Sequence, residues 1–385
     1  MIELFQREDE CCGCTGCVSA CSKNAISMKM NKKGFLYPEI DRELCIECGL
    51  CNLVCDFKKF DASCKKPVSY AVRHKNPHEV KTSRSGAFFM VLCKKIIGSG
   101  GVVFGCRLTD GCKAVHSAAK TYEECKFFKG SKYVQSDMGQ CFSECKGYLE
   151  TGIPVLFSGT GCQVHGLLRY LNTFKVPTDK LITVDIVCHG VPSPGVWAEY
   201  LSELCNRVGG GIRHVDFRDK SINGWADHIE SYDLDNGRKI TGKNWTNIFY
   251  RHVMFRDSCY KCKYTTTERY SDFTIADYWN IGNNAPRFDD NKGVSLVMVH
   301  SEKGKMLFKE LAESFDFEKT SLKTSMQPQM LRPIWKGWDY GVFWKLYQKN
   351  PQNAVRLYFF PNLLTRLIWR CERKGKNIIK KILKK

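Results

Sequence analysis

With 385 residues, 43% of them hydrophobic, the chain is long enough for two or three domains, and no run of eighteen apolar residues is present to span a membrane. The start, Met1–Glu10, is rich in acids and lacks an apolar segment, which argues against a secretory signal and makes the cytoplasm the default. In such a chain 22 cysteines point to metal ligation rather than a disulfide framework, and a net charge of +19 points to anionic partners or surfaces.

In chain order, residues 1–62 are dense in cysteine and have little apolar periodicity, so their fold must come from metal ligation more than from a core. Ala62–Pro67 reads as a linker, and from Tyr70 the pattern becomes that of an α/β domain. Gly86–Ile97 reads as a helix, Gly101–Gly105 as a strand, Ile153–Phe157 as a strand, and Gln163–Leu171 as a helix. Leu181–Val187 is a further strand and Pro194–Cys205 a further helix, followed by a break at Gly209–Gly211. His214–Arg218 and Ser295–His300 are shorter strand-like pieces, and Lys303–Phe315 is one more helix. Strands alternating with helices imply a mostly parallel sheet. The end differs: Arg366–Lys385 holds nine Lys or Arg and one acid, Glu372, with Ile378, Ile379, Ile382 and Leu383 on one helical face.

The chemistry lies in the cysteine spacing. Cys11, Cys14, Cys17 and Cys21 recur 34 residues later as Cys45, Cys48, Cys51 and Cys55, the C-x2-C-x2-C-x3-C run repeated as a duplicated half-domain. Three thiolates two residues apart wrap three corners of a 4Fe–4S cubane, while the fourth is carried away to the other cluster. One cluster therefore takes Cys11, Cys14, Cys17 and Cys55, and the second takes Cys45, Cys48, Cys51 and Cys21. A single such run could hold zinc; two with identical spacing argue strongly against it. The proline that usually follows the fourth cysteine is replaced by Ser22 and Asp56, which alters the exit turn and removes no ligand. Cys12 reads as a non-ligand.

A second set lies further on: the Cys259-x2-Cys262 pair, with Cys162 and Cys188 just past strand ends, where α/β sheets gather functional groups. Spacing alone leaves two readings open, a third cluster or ordinary packed thiols. Cys93, Cys106, Cys125, Cys205 and Cys371 have no partner spacing and read as structural. Each oxidised cluster carries roughly −2, so three would leave a net charge of roughly +13, still basic enough for an acidic ferredoxin, a phosphorylated substrate or an anionic membrane.

Several segments together resemble the beta-subunit family of coenzyme F420 hydrogenases and dehydrogenases. They are Ser83–Gly86 before a helix, Gly101–Gly105, Gly130–Ser136, Val155–Val164, Cys188–Pro194, Ser258–Cys262 and Asp272–Trp279, running from about residue 70 to 300. The resemblance implies an α+β protein. A small ferredoxin-like two-cluster domain (1–62) precedes a larger α/β flavin-binding domain made of an N-terminal region (68–150) and a C-terminal region (151–320), with a basic tail (321–385). It implies FAD, and it favours the third cluster on Cys162, Cys188, Cys259 and Cys262. Ser83, Ser85 and Gly86 would open a helix whose N-terminus holds a pyrophosphate, with Ser131, Lys132, Gly159 and Thr160 as further donors; capping and turn chemistry is the plainer alternative for each. Gly161 stands where relatives often have proline, and Ala87 where they often have a second glycine. No G-x-G-x-x-G follows a strand, so a nicotinamide site is not supported.

The implied activity is an electron relay. A ferredoxin or similar carrier exchanges single electrons with the clusters, and FAD converts them to two-electron chemistry on a small molecule, in either direction. Relatives suggest a setting in cell-surface polysaccharide biosynthesis. The alternative is a non-enzymatic electron-transfer subunit of a larger redox complex. His189 is the one candidate proton donor, with an ordinary hydrogen-bonding role as the plainer reading; Asp277 and Arg269 are candidates for positioning cofactor or substrate. The basic tail would rest on the inner face of a membrane as an amphipathic helix, or be a solvated terminus. No helix-turn-helix, RNP or finger motif is present, so no nucleic-acid partner is read.

Overall fold

The computed structural model describes residues 2–55, 57 and 66–362. The linker expected at Ala62–Pro67 lies mostly outside them, as do Cys371 and the amphipathic segment Arg366–Lys385. Thirteen strands are found among the described residues: β1 (Ile26–Met30), β2 (Leu36–Ile40), β3 (Val68–His74), β4 (Val102–Leu108), β5 (Ala114–Ala119), β6 (Val155–Thr160), β7 (Leu181–Ile186), β8 (Ile212–Asp216), β9 (Glu230–Leu234), β10 (Lys239–Gly242), β11 (Phe273–Asp277), β12 (Ser295–Val299) and β13 (Phe315–Thr320).

The N-terminal unit is a pair of cysteine loops around the β1–β2 hairpin, in which Ile26 faces Ile40 and Met30 faces Leu36. Each loop feeds a single helical turn, Gly16–Ala20 and Leu50–Leu53. The duplication is written in the backbone. Gly13 and Thr15 hold positive φ (73° and 64°), and so do their repeat equivalents Glu47 and Gly49 (53° and 77°). Such residues curl the chain tightly between successive cysteines.

Eight strands form the main sheet in the order β13-β3-β12-β11-β7-β6-β4-β5. Its centre, β11-β7-β6-β4, is parallel. The flanks β13-β3-β12-β11 and β4-β5 are antiparallel, so the parallel character expected from the alternating pattern belongs to the middle of a mixed sheet. Val155, Leu156 and Phe157 on β6 are all fully buried, as a strand covered on both faces requires. The helix Phe88–Gly98 packs one face with Val103, Leu156, Val184 and Phe273. The helices Cys141–Glu150 and Gly161–Thr173 pack the other with Phe104 and Phe157. The sheet takes strands from both sides of residue 150.

A second layer sits against this body: the antiparallel sheet β10-β9-β8 with the helices Pro194–Val208, Tyr340–Lys349 and Pro351–Phe359. Ser193 caps the first of these (Val196 N to Ser193 Oγ, 3.2 Å), and Asn350 caps the last (Asn353 N to Asn350 Oδ1, 2.9 Å). These helices correct the reading of 321–385 as a tail: Phe343, Trp344, Val355, Tyr358 and Phe359 are buried in the same core as Trp197, Tyr200 and Trp245. Apolar positions spaced three and four apart there serve packing. The helix expected over Lys303–Phe315 spans Glu302–Glu310, and Phe315 already opens β13.

The two-cluster unit is welded to this body. Phe35 and Tyr37 of the hairpin enter the core around Trp197 and Phe343. Gly195 N donates to Gly34 O (3.0 Å), Ser193 Oγ to Lys33 O (2.6 Å), and Lys33 Nζ pairs with Asp257 (2.5 Å).

Candidate functional site

Cys11, Cys14, Cys17 and Cys55 line one enclosed pocket between the two-cluster unit and the helix Gly161–Thr173, the crossed set expected from the duplicated motif. Burial, and then the neighbouring Cys14, Cys11 and Cys55, raise the Cys17 thiol well above its ordinary value, the cost of gathering thiolates where no iron neutralises them. The second set lies nearer the surface. Cys48 is exposed, Cys21 and Cys51 pack together near Leu4 and Ile26, and the Ala25 N–H donates to Cys21 Sγ (3.3 Å).

Cys162, Cys188, Cys259 and Cys262 face one further cavity. Cys162 opens the helix Gly161–Thr173, Cys188 follows β7, and Cys259 and Cys262 flank the end of the short helix Asp257–Lys261. Donors point at the sulfurs: Gly190 N at Cys188 Sγ (3.3 Å) and Val191 N at Cys259 Sγ (3.5 Å). Thr160 Oγ1 lies 3.2 Å from Cys162 Sγ. Hydrogen bonding from Cys12, helped by Thr160 and Arg256, lowers Cys162 to about 7 against its burial. Burial and then Cys162 push Cys188 up to about 12. Among the described residues no three His, Cys, Asp or Glu side chains close on a single ion; these four thiols surround a space instead, which suits a polynuclear cluster better than zinc. Cys12, read as a non-ligand, hydrogen-bonds both Cys14 and Cys162 and so stands between the two cavities.

A larger cavity of about 370 Å³ opens beyond the carboxyl ends of β6, β7 and β11, in the range of small-molecule sites. Ser83, Ser85, Ser131, Lys132, Gly159 and Thr160 all line it, as do His189 and Asp277. Gly86 does not. Its backbone is pressed against β3 and β12, where a Cβ would stand 2.1 Å from Val72 O, so this glycine serves close packing. The helix behind it starts at Phe88, with Ala87 in a left-handed conformation (φ 62°) at its cap.

Charge and unmet hydrogen bonds give the cavity its chemistry. Arg84 and Arg218 flank Asp277. Burial would raise that carboxyl, but the two guanidinium groups win and hold it below the usual range. Ser83 Oγ, Arg84 Nε and Arg218 Nε are buried without a hydrogen-bond partner among the described residues. Lys132 is lowered to about 8 by burial, and its Nζ donates to the Lys129 (2.6 Å) and Phe127 (3.1 Å) carbonyls. Unpartnered donors and cationic groups in one wall fit the phosphates of a dinucleotide such as FAD. The sequence reading missed a neighbouring network. His116 Nε2 donates to Ser158 O (3.1 Å). That leaves Nδ1 to accept from Ser136 Oγ (2.8 Å), which itself accepts from Gln163 Nε2 (3.1 Å). Burial lowers His116 to about 4, so the ring is neutral.

His189 lines the cavity with both ring nitrogens engaged, Nε2 with His252 (2.8 Å) and Nδ1 with Gln329 (2.7 Å). Burial, then His252 and His228, lower it to about 4. Its role here is hydrogen bonding in the wall. Arg269 is absent from the lining: it pairs with Asp185 (3.4 Å) in a buried contact and packs against Gly161, where a Cβ would meet it at 2.5 Å. It braces the loop that carries Cys162.

The three cavities adjoin. Cys12, Phe57, Cys162 and Tyr264 border both the first and the second. Thr160, Gln163, Cys188, His189, Gly190 and Val191 border both the second and the largest.

Comparison with known proteins accords with this layout. Residues 10–59 match the 4Fe-4S dicluster domain, and residues 154–324 match the family described as the C-terminal part of the coenzyme F420 hydrogenase/dehydrogenase beta subunit. No curated protein matches. Among solved structures, a chain of the xenon-derivatised F420-reducing NiFe hydrogenase complex from Methanosarcina barkeri aligns at 16% identity, covering 77% of this chain and 92% of that one, with a TM-score of 0.47. Residues 10–59 are thus a 4Fe–4S dicluster domain, and through residues 154–324 the chain belongs to the coenzyme F420 hydrogenase/dehydrogenase beta-subunit family.

Proposed function

We propose that this protein is an iron–sulfur flavoprotein oxidoreductase that passes electrons between a ferredoxin-type carrier and a small-molecule substrate. The observation that carries the reading is the row of three adjoining cavities, with Cys162 and Cys188 as shared walls. Cys11, Cys14, Cys17 and Cys55 would hold one 4Fe–4S cluster, Cys45, Cys48, Cys51 and Cys21 the second, and Cys162, Cys188, Cys259 and Cys262 a third. Ser83, Arg84, Ser131 and Arg218 would hold the phosphates of FAD. A bound flavin supplies the exchange between one-electron and two-electron chemistry.

The chain's own residues prepare each end. The exposed Cys48 brings the second set to the surface, where a carrier protein can approach. At the far end His228 and Trp279 are half-buried and Tyr250 is 46% exposed at the rim of the large cavity, leaving a mouth for a substrate. That mouth favours an enzyme over a purely electron-relaying subunit. Nothing in the cavity singles out a sugar, and the polysaccharide setting rests on the family resemblance.

Anaerobic purification with iron, acid-labile sulfide and flavin counts tests the reading. Three cubanes predict about twelve irons per chain together with one flavin. About eight irons removes the third cluster, and a chain with no flavin removes the oxidoreductase assignment.

A further inference from the structure

Arg256 is fully buried, which is costly for a guanidinium unless something compensates its charge. It belongs to the large domain, two residues before Ser258 and three before Cys259, and it reaches into the dicluster unit. Its Nε donates to Cys11 O (2.8 Å). Nη1 donates to Leu36 O (2.9 Å) and Gln135 Oε1 (3.1 Å), and Nη2 points at Cys11 Sγ (3.6 Å). The guanidinium lies flat over Tyr37, 3.9 Å from the ring centre. Its backbone is tied to the neighbouring cavity, Arg256 N to Val191 O (3.0 Å) and Cys259 N to Arg256 O (2.9 Å). Among the described residues no carboxylate pairs with it: every hydrogen-bond acceptor it meets is a carbonyl, an amide oxygen or the Cys11 sulfur.

The space for this group is kept open. A Cβ on Gly13 would stand 3.1 Å from the Arg256 guanidinium carbon and 2.8 Å from Gln135 Nε2, so only glycine fits at that point in the first cysteine loop. Gln135 Nε2 in turn donates to Cys12 O (3.1 Å). A buried cation held this rigidly against a ligand sulfur implies a resident negative charge there.

We propose that Arg256 is the counter-charge of the cluster held by Cys11, Cys14, Cys17 and Cys55, a positioning residue that raises that cluster's reduction potential above that of the cluster held by Cys45, Cys48, Cys51 and Cys21. A charge-assisted N–H bond to a ligand sulfur stabilises the reduced, more negative form, so the potential rises. The second cluster has no such cation on its ligands in the described residues. Electrons arriving at the surface would therefore settle on the inner cluster, the one beside Cys162. This rests on the proposed function, since it presumes clusters at both sites.

Redox titration monitored by electron paramagnetic resonance is the test, on Arg256→Met and Arg256→Lys after iron counting. The inner cluster's potential is expected to fall in both variants. In the methionine variant the fall is at least a tenfold loss in the equilibrium constant for reduction, which is about 59 mV for one electron. Lysine keeps the charge without the directed fork, so it falls less, and the outer cluster stays put in both. If both variants keep the wild-type inner potential, the proposal is overturned. If methionine prevents folding, lysine and the wild type decide: with guanidino-15N arginine, pulsed resonance should show a nitrogen coupling to one reduced cluster that vanishes in Arg256→Lys, and its absence from the wild type overturns the proposal. A wild-type protein with no iron would instead defeat the proposed function.

Discussion

Ala87 holds φ 62° with a side chain that disfavours it, and relatives' glycine at this point is explained by that angle. Ala87→Gly is therefore expected to stabilise the protein by roughly 1 kcal/mol, read as a higher midpoint in urea unfolding. His116 gives a prediction in pH. Its ring is lowered from 6.5 to about 4 by burial, so it stays neutral in the native state while the unfolded chain takes up a proton below about 6.5. Its contribution to stability is full above that pH and is lost as pH falls toward about 4. Between pH 7 and 5 the wild type should lose about 2 kcal/mol more than His116→Asn, measured by anaerobic urea unfolding. Equal losses would show that the ring is already charged in the native protein.

The elements divide by how far their causes reach along the chain. The duplicated cysteine runs, β4, β6 and β7 and the helices after them were legible in the sequence, because spacing and apolar runs are local signals. What depends on distant partners was not. β3 pairs with β12 and β13 across more than two hundred residues, and Arg256 meets Cys11 across 245. No local pattern announces either contact, nor the His116–Ser136–Gln163 network. The helices Tyr340–Lys349 and Pro351–Phe359 were hidden by composition, since the basic terminal stretch drew the whole region into a tail. Their burial has a checkable cost. Phe359→Ala, or Phe343→Ala in the same core, should destabilise by about 3–5 kcal/mol; a loss under about 1 kcal/mol in calorimetry would mean that these helices do not pack as described.

At the scale of the whole molecule, the three cavities share walls because the dicluster unit is seated on the carboxyl-end loops of the parallel strands. Phe35 and Tyr37 anchor it, and Arg256 and Gln135 join the first cysteine loop to the body. The site was legible as a set of ligands. Its order was not, because adjacency is a property of the fold. That order, with the Cys162, Cys188, Cys259 and Cys262 set standing between the dicluster domain and the large cavity, is the central claim, and it is tested most directly by anaerobic stopped-flow reduction of the wild type and of Cys259→Ser/Cys262→Ser. In the wild type, iron–sulfur bleaching should be followed by flavin bleaching. In the variant, with the dicluster irons retained and flavin still bound, the first phase should persist and the second should slow at least a hundredfold, about 2.7 kcal/mol of barrier. Flavin reduction at the wild-type rate in that variant would contradict the account.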